Sequence, residues 1–169
     1  SDLSKVEAGQ LRIDAVPFDC ATLLGEVAES FRPLAMARGL RLGCDIAPDM
    51  ERYRTGDPIR IRQVVANLIG NAIKFTETGT VTLCAGGRDV VEIRVIDTGI
   101  GIPLSAQSTI FELYQQADDS IRRQYGGTGI GLALCRRLVA AMGGEIAVRS
   151  TPGGGSEFRV RIPLPMTDD

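Results

Sequence analysis

The chain has 169 residues, 44% apolar and 24% charged, and its 19 Lys and Arg against 21 Asp and Glu leave a net charge of −2. That composition predicts one globular domain with a sizeable core, and it argues against a polycation and against disorder of the chain as a whole. Histidine is absent, which removes Ser-His-Asp and Cys-His nucleophilic systems, His-ligated zinc and any in-chain histidine acid or base.

In chain order, residues 1–10 read as the last turns of a helix closed at Gly9. A strand is expected over 11–16. Asp19 is then placed to cap a helix carrying Leu23, Leu24, Val27, Ala28, Phe31 and Leu34 at spacings of three and four, with Pro33 expected to kink or divide it. Residues 40–46 alternate as a strand, and 48–57 read as a polar loop ending in a capping aspartate. Pro58 opens the strongest helix of the chain, expected to reach about Thr76. Strands are expected at 80–85 and 90–96, joined by Gly86-Gly87, and a mixed polar stretch covers 105–125. A helix follows from about 129 to 142, and two closing strands lie around 145–149 and 157–162. No apolar run approaches the roughly 20 residues of a membrane span, and the N-terminus lacks a signal pattern. A soluble, intracellular chain is expected, with Cys20, Cys44, Cys84 and Cys135 as free thiols. Strands alternating with helices, plus adjacent hairpins, predict an α/β two-layer sandwich: one mixed sheet with helices on one face.

Glycine is in surplus, 20 residues against a typical level of about 7%, and eleven of them fall between Gly99 and Gly155. The surplus is local and asks for a backbone-level reason. Four segments could carry chemistry, three of them holding most of these glycines. On the helix from Pro58, residues Gln63, Asn67, Asn71 and Lys74 fall within about 80° of arc, beside an apolar face of Ile61, Val64, Val65, Leu68, Ala72 and Phe75. A solvated helix face would explain the stripe. Asparagine, however, is a poor helix former, and two of them at i and i+4 before a lysine aim neutral oxygens and a cation at one point, a set suited to magnesium and phosphate. The sequence VIDTGIGIP puts Asp97 at the end of an apolar strand, where a buried carboxylate needs a donor such as an exocyclic amine; an aspartate-initiated turn is the plain alternative. The cluster 126–132, GGTGIGL, runs into a helix, so its amides could cradle phosphate. It is neither a Walker A loop nor a dinucleotide fingerprint. Arg122 and Arg123 just before it are phosphate clamps or solvated loop residues, and the glycines of 153–155 read most simply as a hairpin turn.

Together and in this order, these segments resemble the catalytic ATP-binding domain of two-component sensor histidine kinases, within the superfamily shared with gyrase, Hsp90 and MutL. The resemblance covers nearly the whole chain. QVVANLIGNAIKFT is similar to the family's N box, DTGIGIP to its G1 box, FELYQQAD to its F box, GGTGIGLAL to its G2 box and GGGSEF to its G3 box. DLSKVEAG resembles the end of the second helix of the dimerisation and histidine-phosphotransfer domain, and QQADDSIRRQYGGTGIGL is most like hybrid kinases, which often carry a downstream receiver domain. Leu113-Tyr114 stands where the family more often has Pro-Phe, and Ile130 replaces a common Leu; neither change removes a ligand group.

The resemblance implies a Bergerat fold, with a mixed, mostly antiparallel sheet under about three helices. It divides the chain into a helix end and linker at 1–12, a catalytic domain at 13–166 and a tail at 167–169. It further implies that Asn71 coordinates Mg²⁺, that Asn67 sits one turn earlier on the phosphate side, and that Lys74 contacts phosphate, the last two being the catalytic pair. Asp97 would accept from the adenine amine, helped by a water that Ser156 also binds, while Gly99 and Gly101 let the chain pass the base. Phe75, Ile102, Ile130 and Leu132 are assigned to the same nucleotide site. Gln116, Arg122 and Arg123 are lid candidates, and the amides around Gly127, Thr128, Gly129 and Gly131 would hold phosphate. ATP and Mg²⁺ are therefore expected, with the γ-phosphoryl group going to a histidine on a phosphotransfer domain that precedes Ser1. A response-regulator receiver is the onward partner, with no nucleic-acid contact and no direct membrane contact by this fragment; the location expected is cytoplasmic, with a homodimeric parent whose membrane anchoring is left open. An ATP-binding pseudokinase or scaffold, a related ATPase or a serine-directed kinase are the alternatives. Asn67 bears on the ATPase, because hydrolysing relatives place a glutamate there.

Overall fold

The structure, a computed structural model, describes residues 11–50, 53–107, 109–111 and 130–167. Strand β1 (Val16–Asp19) runs directly into helix α1 (Cys20–Ala37), and Asp19 ends one and caps the other, its Oδ1 accepting the Thr22 N–H at 3.1 Å. The strand expected at 11–16 thus lies further along. Its position is set by its antiparallel partner β3 (Tyr53–Gly56), which pairs Val16 with Gly56 and Asp19 with Tyr53. Helix α1 passes through Pro33 as one 18-residue element. Buried Leu23, Leu24, Val27 and Ala28 before the proline and Ala35 after it hold both halves on the core, which outweighs the lost backbone bond.

The stretch 48–57, expected to be a loop, holds a 3₁₀ turn (Pro48–Met50) and β3. The organiser is Arg54, which is fully buried and donates to the carbonyls of Asp49 (2.8 Å), Gly87 (3.0 Å) and Leu164 (3.4 Å). The same strand takes in the C-terminal segment: the Thr55 N–H donates to the Pro165 carbonyl and the Thr167 N–H to the Tyr53 carbonyl.

Helix α2 (Pro58–Lys74) is capped by Asp57, whose Oδ1 accepts the Arg60 N–H at 3.0 Å while its Oδ2 accepts the Asp14 N–H at 2.9 Å. The helix closes where the Phe75 N–H reaches the Asn71 carbonyl and the buried Thr76 hydroxyl donates to the Ala72 carbonyl. Strands β2 (Arg41–Ile46), β4 (Thr80–Gly86), β5 (Val90–Asp97), β6 (Glu145–Thr151) and β7 (Gly155–Pro163) form a five-stranded sheet in the order β2-β4-β5-β7-β6. Among the described strands only β2 and β4 run parallel. Val81, Leu83 and Ala85 on β4 and Val91, Ile93 and Val95 on β5 point to the buried face, where α1, α2 and α4 (Ile130–Ala141) pack. The other face carries cross-strand ion pairs, Arg161 to Glu92 and Arg94 to Glu157. A short helix α3 (Leu104–Gln107) follows β5. The result is the expected two-layer sandwich with a mixed, mostly antiparallel sheet, plus the small separate β1–β3 sheet. Among the described residues no helix is long and apolar enough to cross a membrane.

Candidate functional site

Helix α2 and the ends of β5 and β7 frame a partly open cavity, with Asn71 and Phe75 on one side and Asp97, Gly101 and Ser156 on the other. Asp97 is the last residue of β5 and only 9% exposed, and Ser156 is its direct cross-strand partner. Its Oδ1 accepts the Gly99 N–H at 2.9 Å, and the Ser156 backbone N–H also donates to the carboxylate. Burial pushes the Asp97 carboxyl above its ordinary value, and these two amides oppose the shift without cancelling it. A buried carboxylate with only amide partners retains acceptor capacity toward the cavity.

The loop after Asp97 lies hard against the β6–β7 hairpin. Gly101 has φ +75°, and a Cβ there would collide with the Thr151 carbonyl. Such a close passage explains why glycine recurs in this segment. The Gly153 N–H donates to the Ile100 carbonyl, and Gln107 reaches the carbonyls of Ile102 and Ser150.

On α2, the Asn71 Nδ2 donates to the Asn67 Oδ1 at 3.2 Å. With its amide nitrogen so engaged, Asn71 presents its carbonyl oxygen as the available ligand atom. The Asn67 amide packs against Gly131 in the first turn of α4, where a Cβ would lie 2.6 Å from its Nδ2. The i, i+4 pair read from the sequence is therefore one braced unit, with Asn71 on the cavity wall and Asn67 behind it. Lys74 is exposed and does not line the cavity; its Nζ sits 5.3 Å from the centroid of Phe75, which does.

Of the other residues assigned from sequence, Leu132 lines the cavity and Gly99 adjoins Asp97, whereas Ile102 is fully buried in the core. Ile130 opens α4. Gln116, Arg122, Arg123, Gly127, Thr128 and Gly129 lie outside the described residues. The sequence reading missed Leu68, Ala72, Ile100 and Phe158 as wall residues. Leu68 and Ala72 each follow a stripe asparagine by one position, and Phe158 is two past Ser156 on the same strand face, so their signal was adjacency to polar candidates.

Residues 56–166 match the family of histidine kinase-, DNA gyrase B- and HSP90-like ATPases. The chain belongs to that family. Among relatives of this ATPase domain, sensor histidine kinase RcsC of Escherichia coli is 42% identical over 164 residues, covering 96% of this chain and 17% of the relative. Sensor histidine kinase GacS of Pseudomonas protegens is 43% identical over 174 residues, covering 99% and 19%. The chain spans less than a fifth of those relatives' length. Full-length ShkA, solved in complex with AMPPNP, superposes with a TM-score of 0.87 at 34% identity, over 99% of this chain and 35% of that one. The catalytic domain of histidine kinase ThkA gives 0.76 at 25% identity, over 90% and 97%.

The donor set of the ATPase domain suits a nucleotide better than a free metal. Asp97 offers an acceptor to an exocyclic amine at the cavity floor, and Leu68, Phe75, Leu132 and Phe158 give apolar contact for a base. Among the described residues no group of three His, Cys, Asp or Glu stands ready to cage a metal. One amide oxygen at Asn71 is what a magnesium ion needs from the protein when phosphates and water supply its remaining ligands.

Proposed function

We propose that this chain binds Mg-ATP and donates the γ-phosphoryl group to a histidine on a dimerisation and phosphotransfer domain, as the catalytic domain of a two-component sensor histidine kinase. The observation that carries the reading is that the buried Asp97 carboxylate and Asn71, braced by Asn67, line one cavity. One end would accept the adenine amine, and the other would hold a phosphate-bound Mg²⁺ through the Asn71 oxygen. The ion's chemistry there is to offset phosphate charge.

In this reading Asn67 positions Asn71, and Lys74, lying over Phe75 at the exposed end of α2, supplies the phosphate-directed cation. The amides at 127–131 would complete the phosphate cradle, and residues about 114–128, with Gln116, Arg122 and Arg123, would close over it. Transfer forms a bond from an imidazole nitrogen of the acceptor to the γ-phosphorus as the bond to the bridging oxygen breaks and ADP leaves. The work of the domain is to align these atoms and stabilise their charge. Because position 67 holds an amide and no carboxylate base, water is poorly activated and hydrolysis without acceptor is slow. Residues 1–12 are assigned to the preceding phosphotransfer helix and its linker, 13–166 to the catalytic domain and 167–169 to a tail. The parent is proposed to be a cytoplasmic-facing homodimer of hybrid type that passes phosphate to a receiver domain.

The test mixes the chain with Mg-[γ-³²P]ATP and a separately made phosphotransfer domain bearing its histidine. Acid-labile, base-stable label on that domain is expected. ATP binding without such label would overturn the transfer reading and favour a nucleotide-binding scaffold.

A further inference from the structure

Asp97 on β5, Ser156 on β7 and Ser150 on β6 are direct partners in one row across three adjacent strands. The row starts at the cavity floor and ends behind it, and Ser150 has no part in the roles assigned above. Its hydroxyl makes three contacts: it accepts the Ile102 N–H at 2.7 Å, lies 2.8 Å from the Gly155 carbonyl oxygen and 2.9 Å from the Ser156 hydroxyl. A serine hydroxyl has one proton and two acceptor sites. The amide only donates and the carbonyl only accepts, so the Ser150 proton belongs to Gly155 and the Ser156 proton must point at Ser150. Ser156, which lines the cavity and is 8% exposed, then turns lone pairs and no proton toward a ligand. Asp97, already receiving the Gly99 and Ser156 amides, likewise presents only acceptors when ionised.

We propose that Ser150 is a positioning residue that sets the purine selectivity of this cavity, by holding the Ser156 hydroxyl as an acceptor; the inference rests on the ATP reading above. A purine with a 6-amino group supplies protons to this wall of acceptors. One with a 6-oxo group brings a lone pair to that position and keeps only its N1–H as a donor, and a site that pairs a 6-amino N–H discriminates against an oxygen in its place. Replacing Ser150 frees the Ser156 proton to turn into the cavity, where it can serve an oxo group.

The experiment measures Kd for Mg-ATP and Mg-ITP with the 169-residue chain and with Ser150→Ala, Ser150→Thr and Ser156→Ala. Ser150→Ala is expected to lower the ATP-over-ITP preference about tenfold, the scale of one reversed hydrogen bond. Ser150→Thr, which keeps the hydroxyl, restores it. Equal weakening of both nucleotides, with the preference within twofold of the parent, would mean a merely structural serine and overturn the proposal. Should Ser150→Ala not fold, Ser156→Ala carries the test alone, since deleting the acceptor must also lower the preference; an unchanged ratio there overturns it equally. A parent chain that binds neither nucleotide refutes the ATP reading and this inference with it, whereas a parent that prefers ATP alongside an unchanged variant ratio refutes only the role of Ser150.

Discussion

Gly131→Ala separates the stability of the fold from the competence of the site. Gly131 occupies the first turn of α4, a helical position where alanine is ordinarily better than glycine by about 0.8–1 kcal/mol. The new Cβ would lie 2.6 Å from the Asn67 Nδ2 and 3.1 Å from its Oδ1, so the amide must retreat about 0.8 Å to regain the 3.4 Å of ordinary contact. Its hydrogen bond from Asn71 is already 3.2 Å long, and a shift of that size breaks it. The loss, about 0.5–1.5 kcal/mol, cancels the helix gain, and folding stability by urea titration should change by less than about 1 kcal/mol. Nucleotide affinity should not be spared, because Asn71 loses the brace that aims its oxygen. A weakening of roughly tenfold or more is expected in Mg-ATP binding by calorimetry, the scale of a misplaced bond to a charged group. A variant about 1 kcal/mol more stable with unchanged affinity would show that Asn67 does not brace Asn71, and the reasoning about the pair would fail.

Asp97→Asn should weaken Mg-ATP binding roughly 10- to 100-fold, since a charge-assisted bond is worth about 1.5–3 kcal/mol. It should also change how stability depends on pH. Burial raises the Asp97 pKa in the folded chain, so the native state binds more protons than the unfolded one between the ordinary value and the raised one. Stability from this group is untouched below that window, falls as pH rises through it and stays lower above. The asparagine variant should therefore gain on the parent as pH rises, and urea titrations giving parallel curves would refute the buried-carboxylate account. Arg54→Leu leaves the carbonyls of Asp49, Gly87 and Leu164 without a donor and should cost about 3 kcal/mol or more, with faster amide exchange at Thr55 and Thr167; a cost under 1 kcal/mol would contradict the clamp. Asp57→Ala removes both the cap of α2 and the bond to Asp14, and about 1.5–3 kcal/mol should be lost in the same titration. Asp57→Asn, which keeps one acceptor oxygen, should recover part of it.

Elements whose own periodicity faces the core were legible in the sequence. Helix α2 is one, because Ile61, Val64, Leu68 and Ala72 repeat at helical spacing between a capping Asp57 and a buried Thr76. Strands β4 and β5 are others, each alternating into one apolar face. The β1–β3 sheet was not legible, and Arg54 shows why. A charged residue between Tyr53 and Thr55 marks exposed loop in any local reading, yet here it is the most deeply placed side chain of the strand, stabilised by the nearby Asp49 carbonyl and by those of Gly87 and Leu164, both distant in sequence. The strand shift from 11–16 to Val16–Asp19 is the same effect, since the register is dictated by a partner that the local pattern hid.

The site divides along the same line. Asn67, Asn71 and Asp97 could be singled out individually, because asparagine in a helix and aspartate ending an apolar strand each conflict with their local surroundings. What the sequence could not contain is which hydrogen of which amide or hydroxyl is already taken. That Asn71 turns an oxygen outward follows from its nitrogen being bound to Asn67, and that Ser156 turns lone pairs outward follows from three contacts at Ser150. Motif residues fix the atoms a ligand can meet. The residues behind them fix whether those atoms give or receive a proton, and that choice separates a cavity that fits some purine from one that selects an amino-purine.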